Sequence, residues 1–212
     1  LQPIISGQRM AVFVFPGRRP VAQQNLRLSV ALQQGIISRK DQQADTQAIE
    51  QRRITSDLVV VGNVARRDNP EVVAAAARNI PSISLPEALR VAFFPNRRVL
   101  CVTGTHGKTT TSSMAAWLLY AAGRDPSFFI GGVTANFGAN YRLGRGDDFV
   151  VEGDEYDTAW FDKVPKYWHY PATAATINNV EYDHADIYPD MDAVRHVFAR
   201  FAAQIPPDGV LW

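Results

Sequence analysis

The segment from Val102 to Thr111 carries the residues of this sequence that are best suited to chemistry. It reads V-T-G-T-H-G-K-T-T-T. Gly104 and Gly107 predict a tight turn in which successive backbone N–H groups point inward. Lys108 can contact β- and γ-phosphates, and the hydroxyl of Thr109 can bind magnesium. The segment therefore predicts a loop that binds the phosphates of ATP.

The predicted loop differs from the usual pattern G-x-x-x-x-G-K-[ST], because Val102 stands where that pattern has its first glycine. The alternative is a glycine turn that ends a strand beside an incidental lysine. An apolar strand pattern before the loop and a helical pattern after it favour phosphate binding. The predicted nucleotide-binding residues are Gly104, Thr105, His106, Gly107, Lys108, Thr109 and Thr110.

A second polar motif, E-G-D-E-Y-D, covers residues 152–157 and follows an apolar strand pattern. Ligands bind at the carboxyl ends of the strands in an open parallel sheet. Magnesium takes oxygen ligands and keeps several waters, so Glu152 and Thr109 would suffice to hold it. Glu155 is an alternate candidate for the metal role. The competing interpretation is a solvated acidic turn.

A third polar motif, residues 178–186, follows another strand pattern and contains His184. An imidazole there could bind or orient a second metal ion, or contact a transferred phosphoryl group. A lone histidine is more often structural, but three polar motifs at one sheet edge favour a functional role. We therefore predict that Lys108 and His184 are catalytic, and that Thr109, Glu152 and His184 bind metal.

Four short apolar runs predict the strands that position these motifs: residues 57–62, 98–103, 148–152 and 172–177. Helical patterns cover residues 69–78, 109–122 and 191–201. In the second helix, Met114, Trp117, Leu118 and Ala122 share one predicted face, and in the third Val194, Val197, Phe198 and Phe201 do. Both helices are expected to cover the sheet.

The predicted fold class is α/β, with a Rossmann-like N-terminal domain followed by a P-loop-containing parallel-sheet ATP-binding domain, truncated at the C-terminus. The predicted domains are residues 1–95, of the UDP-sugar-binding type, and residues 96–212, the first part of a central ligase domain. Residues 1–55 are atypical, since they show no clean period and no glycine-rich turn. A strand is possible over residues 10–15.

Bulk composition narrows the possible partners. The 212 residues are 46% apolar with a formal net charge of +1, so no basic excess is available for nucleic acid. The single cysteine, Cys101, excludes an internal disulfide and a cysteine-rich metal site. No apolar run approaches the roughly 18 residues that span a bilayer. We expect a cytoplasmic protein without nucleic-acid or membrane partners.

The three motifs together resemble the Mur ligase family, over roughly residues 56–212. The loop at residues 104–111 is similar to that family's ATP loop. Residues 152–163 and 178–188 are similar to the branch that adds a tripeptide, and Tyr156 and Lys163 favour that branch over the one that adds L-alanine. The stretches at residues 62–63 and 68–71 resemble the end of the family's UDP-binding domain.

The resemblance implies an ATP- and Mg²⁺-dependent amide-bond ligase of peptidoglycan recycling. Its substrates would be UDP-N-acetylmuramate and the tripeptide L-alanyl-γ-D-glutamyl-meso-diaminopimelate, joined through an acyl phosphate. Two alternatives stay open. The chain could be an inactive or partial nucleotide-binding module, or it could belong to the ligase that adds L-alanine to UDP-N-acetylmuramate.

Overall fold

The structure is a computed structural model that describes residues 58–212 and the backbone of residues 13–15. It divides into two compact units. The first comprises residues up to Phe93 together with Asp157–Lys163, and the second comprises Phe94–Tyr156 and Val164–Trp212. The prediction that residues 1–55 are an atypical part of a UDP-sugar-binding domain lies outside the described residues, apart from the backbone at 13–15.

The first unit contains a small three-stranded sheet. Strand β1 (Phe13–Phe15) pairs antiparallel with β2 (Leu58–Val61), which pairs parallel with β3 (Ser82–Ser84). Helix α1 (Pro70–Ala77) precedes β3, and helix α2 (Leu85–Ala92) follows it. The predicted strand at 57–62 and helix at 69–78 are confirmed. Core residues beside β2 and α1 are Val59, Val61, Ala65, Val72 and Ala75, with Trp160 packed against them.

The remaining elements follow in chain order. They are β4 (Arg98–Thr103), α3 (Lys108–Ala121), β5 (Ser127–Thr134), β6 (Ala139–Arg142), β7 (Asp148–Glu152), β8 (Asp157–Ala159), β9 (Asp162–Pro165), a 3₁₀ helix (Lys166–His169), β10 (Ala174–Ile177), α4 (Met191–Ala202) and β11 (Val210–Leu211). Strands β8 and β9 form a separate two-stranded sheet. None of the helices in the described part of the chain has the length and hydrophobicity needed to cross a membrane.

The second unit is built on a six-stranded sheet with the order β11-β10-β4-β7-β5-β6. Every neighbouring pair is parallel except β5 and β6. The register pairs Ile177 with Thr103 and Glu152 with Val102, so β10, β4 and β7 end at the same edge. The predicted α/β fold with a mostly parallel sheet is confirmed, and the three polar motifs follow the ends of these three strands.

The two long helices of this unit differ in how well their buried faces were predicted. Helix α4 buries Val194, Val197, Phe198 and Phe201, as predicted. The predicted buried face of α3 was wrong.

In α3, Met114, Trp117 and Leu118 are exposed, whereas Ser112 and Ala116 are buried. Ala116 belongs to a core cluster with residues of β5 and β7. Small residues let the helix approach the strands closely, which leaves the larger side chains on the outer surface. There Trp117 packs against the rings of Tyr120 and Phe137.

Candidate functional site

The loop between β4 and α3 turns through two glycines with positive φ. Gly104 has a φ of 118° and Gly107 has a φ of 76°. Residues with a Cβ adopt such positive φ angles only at a cost in free energy. Gly107 is the N-cap of α3, and no side chain caps the helix there. The first N–H groups of a helix lack partners within the helix, so this end of α3 offers donors to an anion.

The residues after β10 brace this loop. Asn179 accepts the Thr105 N–H at its backbone oxygen (3.1 Å) and the His106 N–H at Oδ1 (2.8 Å). The side-chain amide of Asn178 donates to the His106 carbonyl (3.2 Å) and to Thr111 Oγ1 (3.1 Å). Neither asparagine was predicted to have a role. Their position directly after a strand that ends at the loop's edge was the available signal.

The brace requires glycine at position 104. A Cβ added to Gly104 would lie 2.8 Å from the backbone nitrogen of Asn178 and 3.0 Å from that of Asn179. Real Cβ atoms do not approach backbone atoms so closely, and the backbone has little freedom to retreat between two hydrogen-bonded loops. The absence of a side chain therefore allows the two loops to touch.

Lys108 points into its own loop rather than into solvent. Its ammonium group donates to the carbonyls of Gly104 (2.8 Å) and Thr105 (3.0 Å), and its Nζ lies 2.7 Å from Oε2 of Glu155. The exposed fraction of the Lys108 side chain is 13%, and that of Glu155 is 3%. The buried ion pair between Lys108 and Glu155 was not anticipated from the sequence, which gave Glu155 only an alternate metal role.

Glu155 is a buried carboxylate with few partners. Neither of its carboxylate oxygens has a hydrogen-bond partner within the described residues, so the 2.7 Å contact with Lys108 is an ion pair. Burial raises the pKa of Glu155 above its usual value, although the adjacent Lys108 ammonium acts in the opposite direction. The neighbouring Asp154 pairs with Lys166 instead. Lys108 is thus the cation that balances Glu155.

Thr109 and Glu152 meet at the edge of the sheet. The Thr109 hydroxyl donates to Glu152 Oε1 at 3.0 Å, and the Gly131 N–H donates to Glu152 Oε2 at 2.8 Å. A Cβ at Gly131 would lie 2.9 Å from Oε1 of Glu152, so this glycine makes room for the carboxylate. Gly131 was not among the predicted site residues, although a Gly-Gly pair inside a strand indicates a close approach of another group.

His184 lies in a separate cluster. Its ring centroid is 4.5 Å from that of Tyr156, and its backbone has a φ of 58°. The His184 N–H donates to Asp183 Oδ1 (2.7 Å), which holds the pKa of Asp183 below its usual value. Among the described residues, no hydrogen bond or ion pair joins His184 to Thr109 or Glu152.

The predicted metal ligands are therefore only partly together. Thr109 and Glu152 are in contact, and His184 is not in contact with them. Within residues 58–212, no group of three or more His, Cys, Asp or Glu side chains is arranged to hold a metal ion. The assignment of His184 as a metal ligand stays a prediction.

Comparison with known proteins identifies the family. Residues 102–212, just over half of the chain, match the Mur ligase middle domain. The chain belongs to the Mur ligase family. The matched region contains the glycine loop, the asparagine brace and the three polar motifs, so all the contacts described above lie within this Mur ligase domain.

Individual relatives include members of two Mur ligase branches. The chain is 46% identical over 157 residues to the UDP-N-acetylmuramate–L-alanyl-γ-D-glutamyl-meso-2,6-diaminoheptandioate ligase of Escherichia coli, covering 74% of this chain and 34% of that protein. It is 44% identical over 163 residues to the UDP-N-acetylmuramate–L-alanine ligase of Saccharopolyspora erythraea, covering 77% and 32%. The chain thus spans about a third of the length of these curated relatives.

A solved structure agrees with these matches. The UDP-N-acetylmuramate:L-alanyl-γ-D-glutamyl-meso-diaminopimelate ligase from Neisseria meningitides is 42% identical, with a TM-score of 0.72. The match covers 79% of this chain and 54% of that one.

Replacing Gly104 with alanine should push the two loops apart. We expect Gly104→Ala to lower the free energy of unfolding by about 1–3 kcal/mol more than Gly123→Ala, because overpacking adds to the cost of positive φ. Gly123 is a matched control, since its φ is also positive (74°) but no atom lies within 4 Å of an added Cβ. Urea unfolding followed by circular dichroism measures both. Equal losses would contradict the close approach.

Proposed function

We propose that this chain is the nucleotide-binding part of an ATP-dependent ligase of the murein peptide ligase type. Such an enzyme joins L-alanyl-γ-D-glutamyl-meso-diaminopimelate to UDP-N-acetylmuramate in peptidoglycan recycling. The observation that carries the proposal is the 46% identity to the E. coli tripeptide ligase over 74% of the chain. The Neisseria structure, of the same named activity, supports it.

In this proposal the two units have different tasks. Residues 96–212 are the first part of the central, P-loop-containing ATP-binding domain, and residues 1–95 are a Rossmann-like domain of the UDP-sugar-binding type. The division of the chain between Phe93 and Phe94 is compatible with this assignment. The family match, which begins at residue 102, supports the identity of the second domain.

The proposed reaction begins with transfer of the γ-phosphoryl group of ATP to the carboxylate of UDP-N-acetylmuramate, which yields ADP and an acyl phosphate. The amine of the peptide then attacks the acyl carbon and loses a proton. Inorganic phosphate leaves as the amide forms. Catalysis of phosphoryl transfer depends on positioning and on stabilising negative charge, which this chain's own groups can supply.

The start of α3 and Lys108 are proposed to bind the phosphates. The uncapped helix end presents N–H donors and a partial positive charge. Of the seven predicted contact residues at 104–110, Thr105 and His106 already donate their N–H groups to Asn179. The candidate donors to phosphate are therefore the N–H groups of Gly104 and of residues 107–110.

The donor set at Thr109 and Glu152 fits magnesium. Magnesium takes oxygen ligands in proteins. The Thr109 hydroxyl and the Glu152 carboxylate are 3.0 Å apart, and both oxygens would be available to hold the ion. A bound Mg²⁺ would neutralise charge on the phosphates. Gly131, through its N–H, holds the Glu152 carboxylate in place for this role.

His184 is proposed to act on the transferred phosphoryl group or on a second metal ion. The Tyr156 ring, tilted by 54° against the imidazole, restricts its orientation, and Oδ1 of Asp183 lies 3.8 Å from Nδ1. Either role would use the imidazole as a neutral ligand or as a donor. In this assignment His184 and Lys108 are the catalytic residues.

The second candidate function is the addition of L-alanine to UDP-N-acetylmuramate. The 44% identity to the Saccharopolyspora L-alanine ligase supports this second candidate. The resemblance of residues 152–163 to the tripeptide branch, with Tyr156 and Lys163, favours the first candidate.

A direct assay separates the two candidates. We expect a protein carrying this chain to release phosphate from ATP when UDP-N-acetylmuramate and the tripeptide are present together, and to do so poorly with L-alanine. Phosphate release and product mass measure the reaction. Preference for L-alanine would establish the second candidate. If the protein bound nucleotide but formed neither product, the chain would be a nucleotide-binding module without ligase activity.

Removal of the Lys108 ammonium should abolish most nucleotide affinity. We expect Lys108→Ala to bind a non-hydrolysable ATP analogue roughly 100-fold more weakly, because a charged donor to phosphate is lost. Titration calorimetry measures the affinity, and circular dichroism confirms that the variant folds. Lys163→Ala is the control, since that lysine is 65% exposed and pairs with Asp157. Unchanged affinity in Lys108→Ala would contradict the assignment of Lys108 as a phosphate-binding residue.

Removal of the Thr109 hydroxyl should make nucleotide affinity depend less on magnesium. The Thr109→Val variant keeps the side-chain shape. We expect the ratio of its nucleotide affinity with magnesium to that without magnesium to be roughly tenfold smaller than in the unaltered protein. Calorimetric titrations with magnesium and with a chelator give the ratio. Ser113→Ala removes another hydroxyl of α3, one that donates to the Thr109 carbonyl, and should preserve the enhancement. A ratio unaffected by Thr109→Val would exclude this hydroxyl as a ligand.

A further inference from the structure

The Lys108 ammonium is already engaged inside the protein. Its Nζ donates hydrogen bonds to the carbonyls of Gly104 (2.8 Å) and Thr105 (3.0 Å), and it lies 2.7 Å from Oε2 of Glu155 in an ion pair. A phosphate oxygen that Lys108 binds therefore competes with these three groups for the ammonium.

Glu155 is the acceptor that a phosphate would replace. Gly104 and Thr105 belong to the loop itself, and their carbonyls are neutral. Glu155 carries the negative charge that competes with phosphate for the same cation. Its side chain is 3% exposed, and Lys108 is the cation that forms an ion pair with it among residues 58–212, so a carboxylate that lost Lys108 would be a buried charge without a partner there. Protonation removes that charge without any structural rearrangement.

We propose that bound nucleotide phosphate takes Lys108 from Glu155, and that the released Glu155 carboxyl group takes up one proton from solvent. Glu155 is then the internal counter-ion of Lys108, which stabilises the ammonium in the nucleotide-free loop and makes nucleotide binding proton-linked. This inference rests on the proposed function, because it requires that Lys108 binds phosphate.

The groups around Glu155 favour proton uptake. Lys108 is the cation in contact with it, and Asp154, beside it in the chain, adds a negative charge that raises the pKa of Glu155. Tyr156 and Tyr167 are electrostatically coupled to Glu155, and Tyr188 donates its hydroxyl to the Glu155 backbone carbonyl. Burial already raises the pKa of Glu155 while Lys108 is paired with it, so loss of that pair raises it further.

The direction of the pH dependence follows from linkage. The pKa of Glu155 is higher with nucleotide bound than without it, so binding takes up protons and affinity falls as pH rises between those two values. For one linked proton the limit is about tenfold per pH unit. Glu155→Gln keeps the shape and cannot titrate. It should bind nucleotide more tightly than the unaltered protein at pH 8, and its affinity should depend less on pH.

Calorimetry with a non-hydrolysable ATP analogue and excess magnesium at pH 8 tests the inference. Phosphate groups with a pKa near about 6 are deprotonated there, so the nucleotide contributes little to the proton count. Titrations in two buffers of different ionisation heat give the protons taken up per nucleotide. We expect net proton uptake in the unaltered protein. We expect none in Glu155→Gln.

The control is Asp192→Asn, which removes an exposed carboxylate of α4 paired with Arg195 and should retain the uptake. Nucleotide binding by the unaltered protein without proton uptake would overturn the inference, even if Glu155→Gln failed to fold, and would mean that Lys108 holds both anions. Equal uptake in Glu155→Gln would overturn it as well. Absence of any nucleotide binding would instead overturn the proposed function on which the inference rests.

Discussion

The parallel register of β10, β4 and β7 is the constraint on which the candidate site depends. Pairing of Ile177 with Thr103 and of Val102 with Glu152 brings three chain segments to one edge at the same level. Each segment supplies a different group: the lysine and hydroxyl of the glycine loop, the carboxylates after β7, and the asparagine brace after β10. A shift of one residue in either pairing would turn alternate side chains to the opposite face and separate these groups.

Close backbone approach then decides which residues can occupy this edge. Gly104 lies against the backbone of the asparagine loop, and Gly131 lies against the Glu152 carboxylate. In both places a methyl group would occupy the space of a hydrogen-bonded neighbour. The lack of a side chain at these two glycines thus lets the asparagine loop and the Glu152 carboxylate come close, in addition to the backbone conformation that Gly104 permits.

The sequence was sufficient for local features and insufficient for long-range ones. The strand runs at 98–103, 148–152 and 172–177 and the apolar stripe of α4 follow from the sequence pattern, although the last strand begins only at Ala174. The family resemblance follows from three motifs in order. The packing of α3 through Ser112 and Ala116, and the pairing of Lys108 with Glu155, depend on how separate segments meet. Periodicity favoured the larger apolar residues of α3, but the space beneath the helix admits only small ones.

The return of residues 157–163 to the first unit has a consequence for the order of events during synthesis. The Trp160 side chain packs against the cluster around Val59 and Val61, about a hundred positions earlier in the chain. The ribosome therefore synthesises β4, α3 and β7 before it adds Trp160, whose side chain packs against that core. The first unit therefore cannot complete its core while only its N-terminal part has been synthesised. Its packing is completed after β4, α3 and β7 of the second unit have been made.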